Sequence, residues 1–383
     1  MKRSLKLLFI LLIAVLMLII SACRLVLRDD QGKTASESHT PSESSQKLPE
    51  TTVSITTDVL TDSLLTVEEL IIDDPTEFSF KALRSYLTSN PSLRKIDASG
   101  VLLTSEEYAD LCSINADVTI ISKISLGNVI MDLTLAEIDI SGTKVENKRD
   151  FETMLGHFPS GIKLIMCDCG YTDDEMGALR DKFPNLEFVW QIHMGKWSLR
   201  TDDEAFSVMI YDDNYTRLTS EDIKVLRYCT NLYALDLGHQ AITDLSVIGE
   251  LTDLRVLILA DNKITDLTPL ANLKKLQYLE LFVNRISDLS PLASCTELVD
   301  LNFGWNSVWD LSSIYSLPKI ERLWLPTNPV SEDKRSEISE VFSSAQIVFE
   351  DENSISSGWR THERYFSMRG MFTNNKYDDN FVK

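Results

Sequence analysis

The chain has 383 residues, 44% of them apolar, and a formal charge of -21. It is long enough for a large core or an extended repeat array. The acidic balance disfavours nucleic acid and anionic lipid as partners, because nothing offsets repulsion from phosphates.

Met1–Ala22 opens with Lys2, Arg3 and Lys6 and runs through 14 apolar residues, Leu7 to Ile20. A basic start before an apolar stretch slightly short for a membrane span reads as a secretory signal, residues 1–22. Ile20-Ser21-Ala22-Cys23 resembles the bacterial lipobox, in which small residues fit the signal peptidase and the Cys sulfur receives a diacylglyceryl group. Lipidation at Cys23 is the expectation, with an uncleaved anchor helix as the alternative. From Thr34 to Thr66, 15 of 33 residues are Ser or Thr, with two prolines and no aromatic. Such a segment buries too little apolar surface to offset its ordering entropy. Residues 23–65 therefore read as a tether, about 35 Å r.m.s. as a flexible coil. The expected location is the extracellular side of a bacterial cell membrane, with membrane contact through the lipid alone.

Residues 66–211 repeat loosely. "LRKIDASGVLLTSEEYADL", "LAEIDISGTKVENKRDFETML" and "IKLIMCDCGYTDDEMGAL" each read strand, turn, helix. Thr104-x-x-Glu107 and Thr172-x-x-Glu175 have the form of capping boxes opening two of those helices. Met176, Leu179 and Phe183 mark an apolar helical face. A degenerate repeat block with longer helices is expected; a separate small α/β domain is the alternative. Cys167-Asp168-Cys169 could suggest metal or redox chemistry, but adjacent strand residues face opposite ways, and Cys167 stands where a core Leu is expected. The five cysteines after Cys23 (112, 167, 169, 229, 295) are odd in number and irregularly spaced, which does not suit a disulfide framework.

Residues 212–350 repeat strictly. Steps of 22 join Leu235, Leu257, Leu279, Leu301 and Leu323, and likewise Leu237, Leu259, Leu281, Phe303 and Leu325. A polar column runs in the same frame: Gln240, Asn262, Asn284, Asn306 and Asn328. A fixed period of this kind means one supersecondary unit stacked on itself. LxxLxL is a short strand with Leu inward. The following amide can both donate to and accept from loop backbone, and Pro269 and Pro291 start the return segment where no N–H is needed.

These residues resemble the leucine-rich repeat family, in its 22-residue internalin-type class. The resemblance covers Leu232 to about Val330. It implies an α/β fold, a right-handed curved solenoid with parallel strands on the concave face, in which an irregular first block precedes a regular second one. It also implies a role in protein binding.

A second duplication ends each block. Each copy has a Trp (Trp197, Trp359) followed by Arg-Thr, four residues and Phe-Ser: Arg200-Thr201 with Phe206-Ser207, and Arg360-Thr361 with Phe366-Ser367. Open solenoid ends expose core, so both copies read as caps, the second within residues 351–383; a paired ligand site is the alternative.

Catalytic groups do not converge. The five histidines (39, 157, 193, 239, 362) have no ligand spacing, and no phosphate loop, dinucleotide fingerprint or G-x-S-x-G occurs. "DDNYTRLTSED" starts like a calcium loop but lacks the required Gly and Glu, Ile223 standing at the twelfth place. No enzyme activity, cofactor or metal is expected, although an unseen carboxylate pair acting on cell-wall material stays open, as does a purely structural envelope role. The outward strand positions favour binding. Ile258, Tyr278, Phe282, Trp305 and Trp324 form an apolar and aromatic strip, with Glu280, Asp300, Asn302 and Arg322 as its polar members. Aromatics rimmed by charge have the composition of interface hot spots. A protein ligand on this strip is the expected partner, and packing of the strip against the chain's own tail or a second copy is the alternative.

Overall fold

The computed structural model describes residues 68–72, 75–208, 216–350 and 358–382. Cys23, the signal and the Ser/Thr-rich tether lie outside the described residues, as does most of the calcium-like stretch. Among the described residues no helix is long and apolar enough to cross a membrane.

The first block is made of strand–helix units. In order they are β1 (Glu69–Ile71), α1 (Phe80–Ser89), β2 (Lys95–Thr104), α2 (Ser105–Ile114), β3 (Thr119–Leu126) and β4 (Val129–Asp132). Then come β5 (Glu137–Asp139), α3 (Lys148–Leu155), β6 (Lys163–Ile165), α4 (Asp173–Lys182) and β7 (Glu187–Val189). β1, β2 and β3 pair in parallel with Glu69, Lys95 and Thr119 in one row. β5, β6 and β7 do the same with Glu137, Lys163 and Glu187. β4 folds back antiparallel on β3 and separates the two sets. Both capping boxes form: Thr104 and Thr172 accept from the backbone N–H of Glu107 and Glu175, and each Glu carboxylate returns to the cap N–H. Met176, Leu179 and Phe183 are buried.

A hairpin, β8 (Gln191–Met194) with β9 (Trp197–Arg200), joins the blocks. The second block follows as β10 (Ala205–Ser207), β11 (Ala234–Asp236), β12 (Val256–Ile258), β13 (Tyr278–Glu280), β14 (Asp300–Asn302), β15 (Arg322–Trp324), α5 (Glu332–Val341) and β16 (Gln346–Val348). Its strands form one parallel sheet of seven, in chain order. Pairing is in step with the 22-residue period, so Ala234, Val256, Tyr278, Asp300 and Arg322 make one row. Asp236, Ile258, Glu280, Asn302 and Trp324 make another. Between these rows Leu235, Leu257, Leu279, Leu301 and Leu323 turn inward and are fully buried. Each such side chain contributes about 1.5–3 kcal/mol by leaving water. Short 3-10 turns close the coils from behind, with Pro269 and Pro291 at their starts. The inward core is continuous from Leu70 to Phe342, so the two blocks share it.

Each coil turns on a left-handed residue followed by an amide. His239, Asp261, Val283, Trp305 and Thr327 have φ of 61°, 51°, 57°, 57° and 60°. The next residue stitches two coils together. Asn306 Oδ1 accepts from Ile286 N–H at 2.9 Å, while its Nδ2 donates to Leu281 O of the preceding coil and Phe303 O of its own, at 3.0 and 2.9 Å. Asn262, Asn284 and Asn328 repeat the pattern. Gln240 enters the same frame, accepting from Leu218 N–H at 2.8 Å.

Two expectations need correction. Cys169, not Cys167, is the buried thiol: its Sγ lies 3.1 Å from Ile140 O, and the residue before it, Asp168, is left-handed with φ 58°. Cys169 thus takes the place in the first block that Asn takes in the second, and Cys167 is half-buried. The last coil is closed by α5 and β16, which bring Ile338 and Phe342 onto the core, rather than by the Trp359 element. The segment from Gly358 onward, including α6 (Glu363–Asn374), packs on the other side of the sheet.

Candidate functional site

The outward rows of the sheet carry large side chains because short parallel strands leave every second residue with no core to fill. These rows are the expected binding strip, and in the structure residues 358–382 lie across them as a strap. Trp359 is fully buried between Tyr278 and Trp324, with ring centroids 5.2 and 5.1 Å away. From α6, Met368, Met371 and Phe372 meet Ala205, Ala234, Val256 and Ile258. Beyond α6, Tyr377 stacks near Tyr233 with centroids 5.6 Å apart, and Arg255 lies 5.0 Å over the Tyr377 ring. Glu204, just before β10, donates its N–H to Asn375 O at 3.1 Å. The strap therefore spans the sheet from β15 to β10.

Two carboxylates under the strap, Asp300 and Glu280, are paired. Asp300 receives Arg322 through Nε at 2.8 Å and Nη2 at 2.5 Å, and Arg364 Nη1 from the strap at 2.6 Å. Glu280 accepts from Trp359 Nε1 at 3.0 Å and Tyr278 Oη at 3.2 Å, with Arg360 Nη2 at 3.5 Å. Arg322 also lies 4.6 Å over the Trp359 ring, a cation–π contact. Burial, with Arg322 and Arg364 nearby, holds His362 below the ordinary imidazole range. Its neutral ring accepts the Arg364 N–H at 3.2 Å and caps α6.

The nine strip residues are thus not one open surface. Tyr278, Glu280, Asp300, Asn302, Arg322 and Trp324 are each 3% exposed or less, and Ile258 is 8% exposed. The tail packing weighed as an alternative is what the structure contains, and the expectation of an open strip is corrected to that extent. Phe282 and Trp305 remain at the edge, with centroids 6.2 Å apart and Trp305 42% exposed. Gly304 makes room for Phe282, since a Cβ there would meet Pro326 at 2.9 Å and the Phe282 ring at 3.2 Å. The sequence offered one signal for the strap: Trp359 and Arg360-Thr361 stood out as a duplicated element, though with the wrong role.

A cleft of about 220 Å³ stays open between strap and sheet, lined by Asp236, Glu280, Arg360, Tyr365, Met368 and Phe372 among others. Burial pushes the Asp236 carboxyl above its ordinary range, opposed by donors from Gly238 N–H and Ser207 Oγ at 2.9 Å each. Arg360 Nε is buried at the cleft without a hydrogen-bond acceptor, as is Asn302 Nδ2 in the outward row of the sheet. His239 sits on the rim beside Asp261, its Nδ1 3.1 Å from Asp261 Oδ2. Among the described residues no group of three or more His, Cys, Asp or Glu could hold a metal ion.

Coils of 22 residues, a Leu core, a left-handed turn and an amide ladder define a stacked repeat solenoid with one parallel sheet. The second block is thus an array of stacked leucine-rich repeats. The family model described as leucine rich repeats (2 copies) matches residues 252–294. Internalin C2 of Listeria monocytogenes is similar at 29% identity, over 39% of this chain and 75% of that one, with a TM-score of 0.29. Another internalin of Listeria monocytogenes is 19% identical over 73% of this chain and 86% of its own, TM-score 0.34. A leucine-rich repeat protein of Leptospira interrogans is 19% identical over 74% and 75%, TM-score 0.35. No curated protein matches the chain. The fold is that of a protein-interaction scaffold.

Proposed function

We propose that this protein is a binding protein without catalytic activity. It is held on the outer face of a bacterial membrane by lipid on Cys23 and the Ser/Thr-rich tether, and engages a protein partner through the outward face of its sheet. One observation carries the reading: this face holds polypeptide, taking Trp359 into an aromatic slot and pairing its carboxylates with arginines. Aromatic anchors and desolvated Arg–carboxylate pairs are the chemistry of interface hot spots. Phe282 and Trp305 are the part of the strip that a partner meets first.

The test has two arms. Cys23→Ala should abolish lipid labelling and leave precursor; continued incorporation of lipid would remove the anchor. A partner captured from envelope extracts by the full chain should be held at least tenfold less well by Phe282→Ala or Trp305→Ala, equivalent to about 1.4 kcal/mol. Capture that survives both, yet fails after changes on the helical side of the coils, would place binding on the other face.

A further inference from the structure

We infer that the sheet face is a groove for a short helix bearing an aromatic and two arginines, and that residues 358–382 fill it as a displaceable stand-in for a partner helix of that chemistry. This rests on the binding role proposed above and names the partner class and the control of the same site.

The strap has the form of a helical ligand in a groove. Arg364, Met368, Met371 and Phe372 fall at i, i+4, i+7 and i+8, the spacing by which an amphipathic helix addresses a groove. All four face the sheet: Arg364 reaches Asp300, and the other three pack on the outward rows. Phe366, on the opposite side of the helix, is 61% exposed. Trp359 and Arg360 precede the helix and supply the anchor and the second charge.

The strap's packing is also separate from the fold's own core. Its apolar residues cluster with the outward rows, whereas the inward core is closed by α5 and β16. The groove contributes carboxylates: Glu280 and Asp300 are each 1% exposed, and Arg322 of the sheet answers only Asp300. Arg360 and Arg364 of the strap pair with Glu280 and Asp300. An occupant without cations would bury uncompensated negative charge, so the groove selects one that is cationic as well as aromatic. One groove donor, Asn302 Nδ2, lacks an acceptor while the strap is in place. The cis occupant thus leaves a hydrogen bond unmade that a better-fitted helix can complete.

A tethered occupant competes at a local concentration of about millimolar. A partner helix must therefore bind better than the strap, or be presented at high density, to open the groove.

The test uses the full chain in detergent, with a protease recognition sequence placed within residues 351–357. A fluorescent synthetic peptide of residues 358–382 is the probe. After cleavage and dilution the probe should bind saturably, and it should bind the uncut chain at least ~100-fold more weakly. Peptides carrying Trp359→Ala or Arg364→Ala should lose at least ~10-fold. Circular dichroism and melting of the cut chain check that the array persists. The inference falls if the cut chain never exchanges its segment, if it loses its cooperative melt, or if the altered peptides bind as well as the natural one. Binding to the uncut chain as tight as to the cut chain overturns it too. A captured partner that the peptide fails to displace overturns it while leaving the binding role standing. Peptide exchange without any captured partner would show a displaceable strap but overturn the binding role, and the partner helix with it.

Discussion

At the scale of single residues, the amide column is the feature that joins sequence to energetics most directly. Asn284 accepts from Ile264 N–H at 3.0 Å and donates to Leu259 O and Leu281 O at 2.9 and 3.0 Å. Asn284→Ala leaves Ile264 N–H without its acceptor and takes one of two amide donors from Leu259 O and from Leu281 O, which keep Asn262 and Asn306. The expected cost is about 1–3 kcal/mol, read as a lower melting temperature, against no change for the exposed Lys274→Ala. The column was legible because a 22-residue step exposes any residue that repeats. Cys169 escaped the same frame because the first block spaces its strands by 24 to 26 residues, as Glu137, Lys163 and Glu187 show. The half-burial of Asp236 was not legible, since part of its cover is a strap more than a hundred residues away in sequence. Burial raises its folded pKa above the unfolded one, so the folded state binds more protons between the two values and stability falls as pH rises through that window. Asp236→Asn keeps an acceptor for Gly238 and a polar partner for Ser207 while removing the charge. It should stabilise the protein at neutral pH, and the gain should vanish as pH falls below the ordinary aspartate range. Equal gains at pH 3 and pH 7 would show that this carboxylate is not the cause.

At the scale of elements, the strands, the two capped helices and the 3-10 turns each follow from local residues, which is why their positions could be expected. The strap could not be placed in this way. α6 has an apolar side, but nothing local says whether that side meets the end of the core or the outward rows. The choice is made by partners far away: Tyr278 and Trp324 form the slot for Trp359, and Asp300 meets Arg364. This reverses the expected effect of one substitution. An open strip would let Trp324→Ala pass without loss of stability. With Trp324 1% exposed beside Trp359, truncation leaves a cavity and should cost about 3–5 kcal/mol of the strap's docking. The loss should appear as faster proteolysis within residues 358–382 and a weaker melting transition, whereas the exposed Phe366→Ala should change neither.

At the scale of the whole molecule, the question is which parts the solenoid needs in order to stand. A stacked array needs its terminal coil covered, because the last Leu layer has no neighbour to bury it. The structure assigns that task to α5 and β16: Ile338 and Phe342 join the inward core, and β16 pairs with β15 through Arg322–Gln346, Leu323–Ile347 and Trp324–Val348. The strap covers the sheet face and no coil end. Two truncations should therefore behave differently. Ending the chain after Phe349 keeps β16 and removes the strap, exposing Ile258, Tyr278 and Trp324 and leaving Glu280 short of its strap partners. That chain should keep its far-ultraviolet dichroism and a cooperative though lowered melt, and should bind a hydrophobic dye. Ending it after Val330 removes α5 and β16 as well and opens the layer of Ile320, Leu323 and Leu325 to water. Losing the terminal cap should broaden the melt and cause aggregation, because unfolding can then start from the open coil and run along the array. If both truncations lose cooperativity alike, the strap closes the fold as much as α5 does. A dye-free, fully stable chain after the first truncation would mean instead that the outward face repacks once its cover is gone.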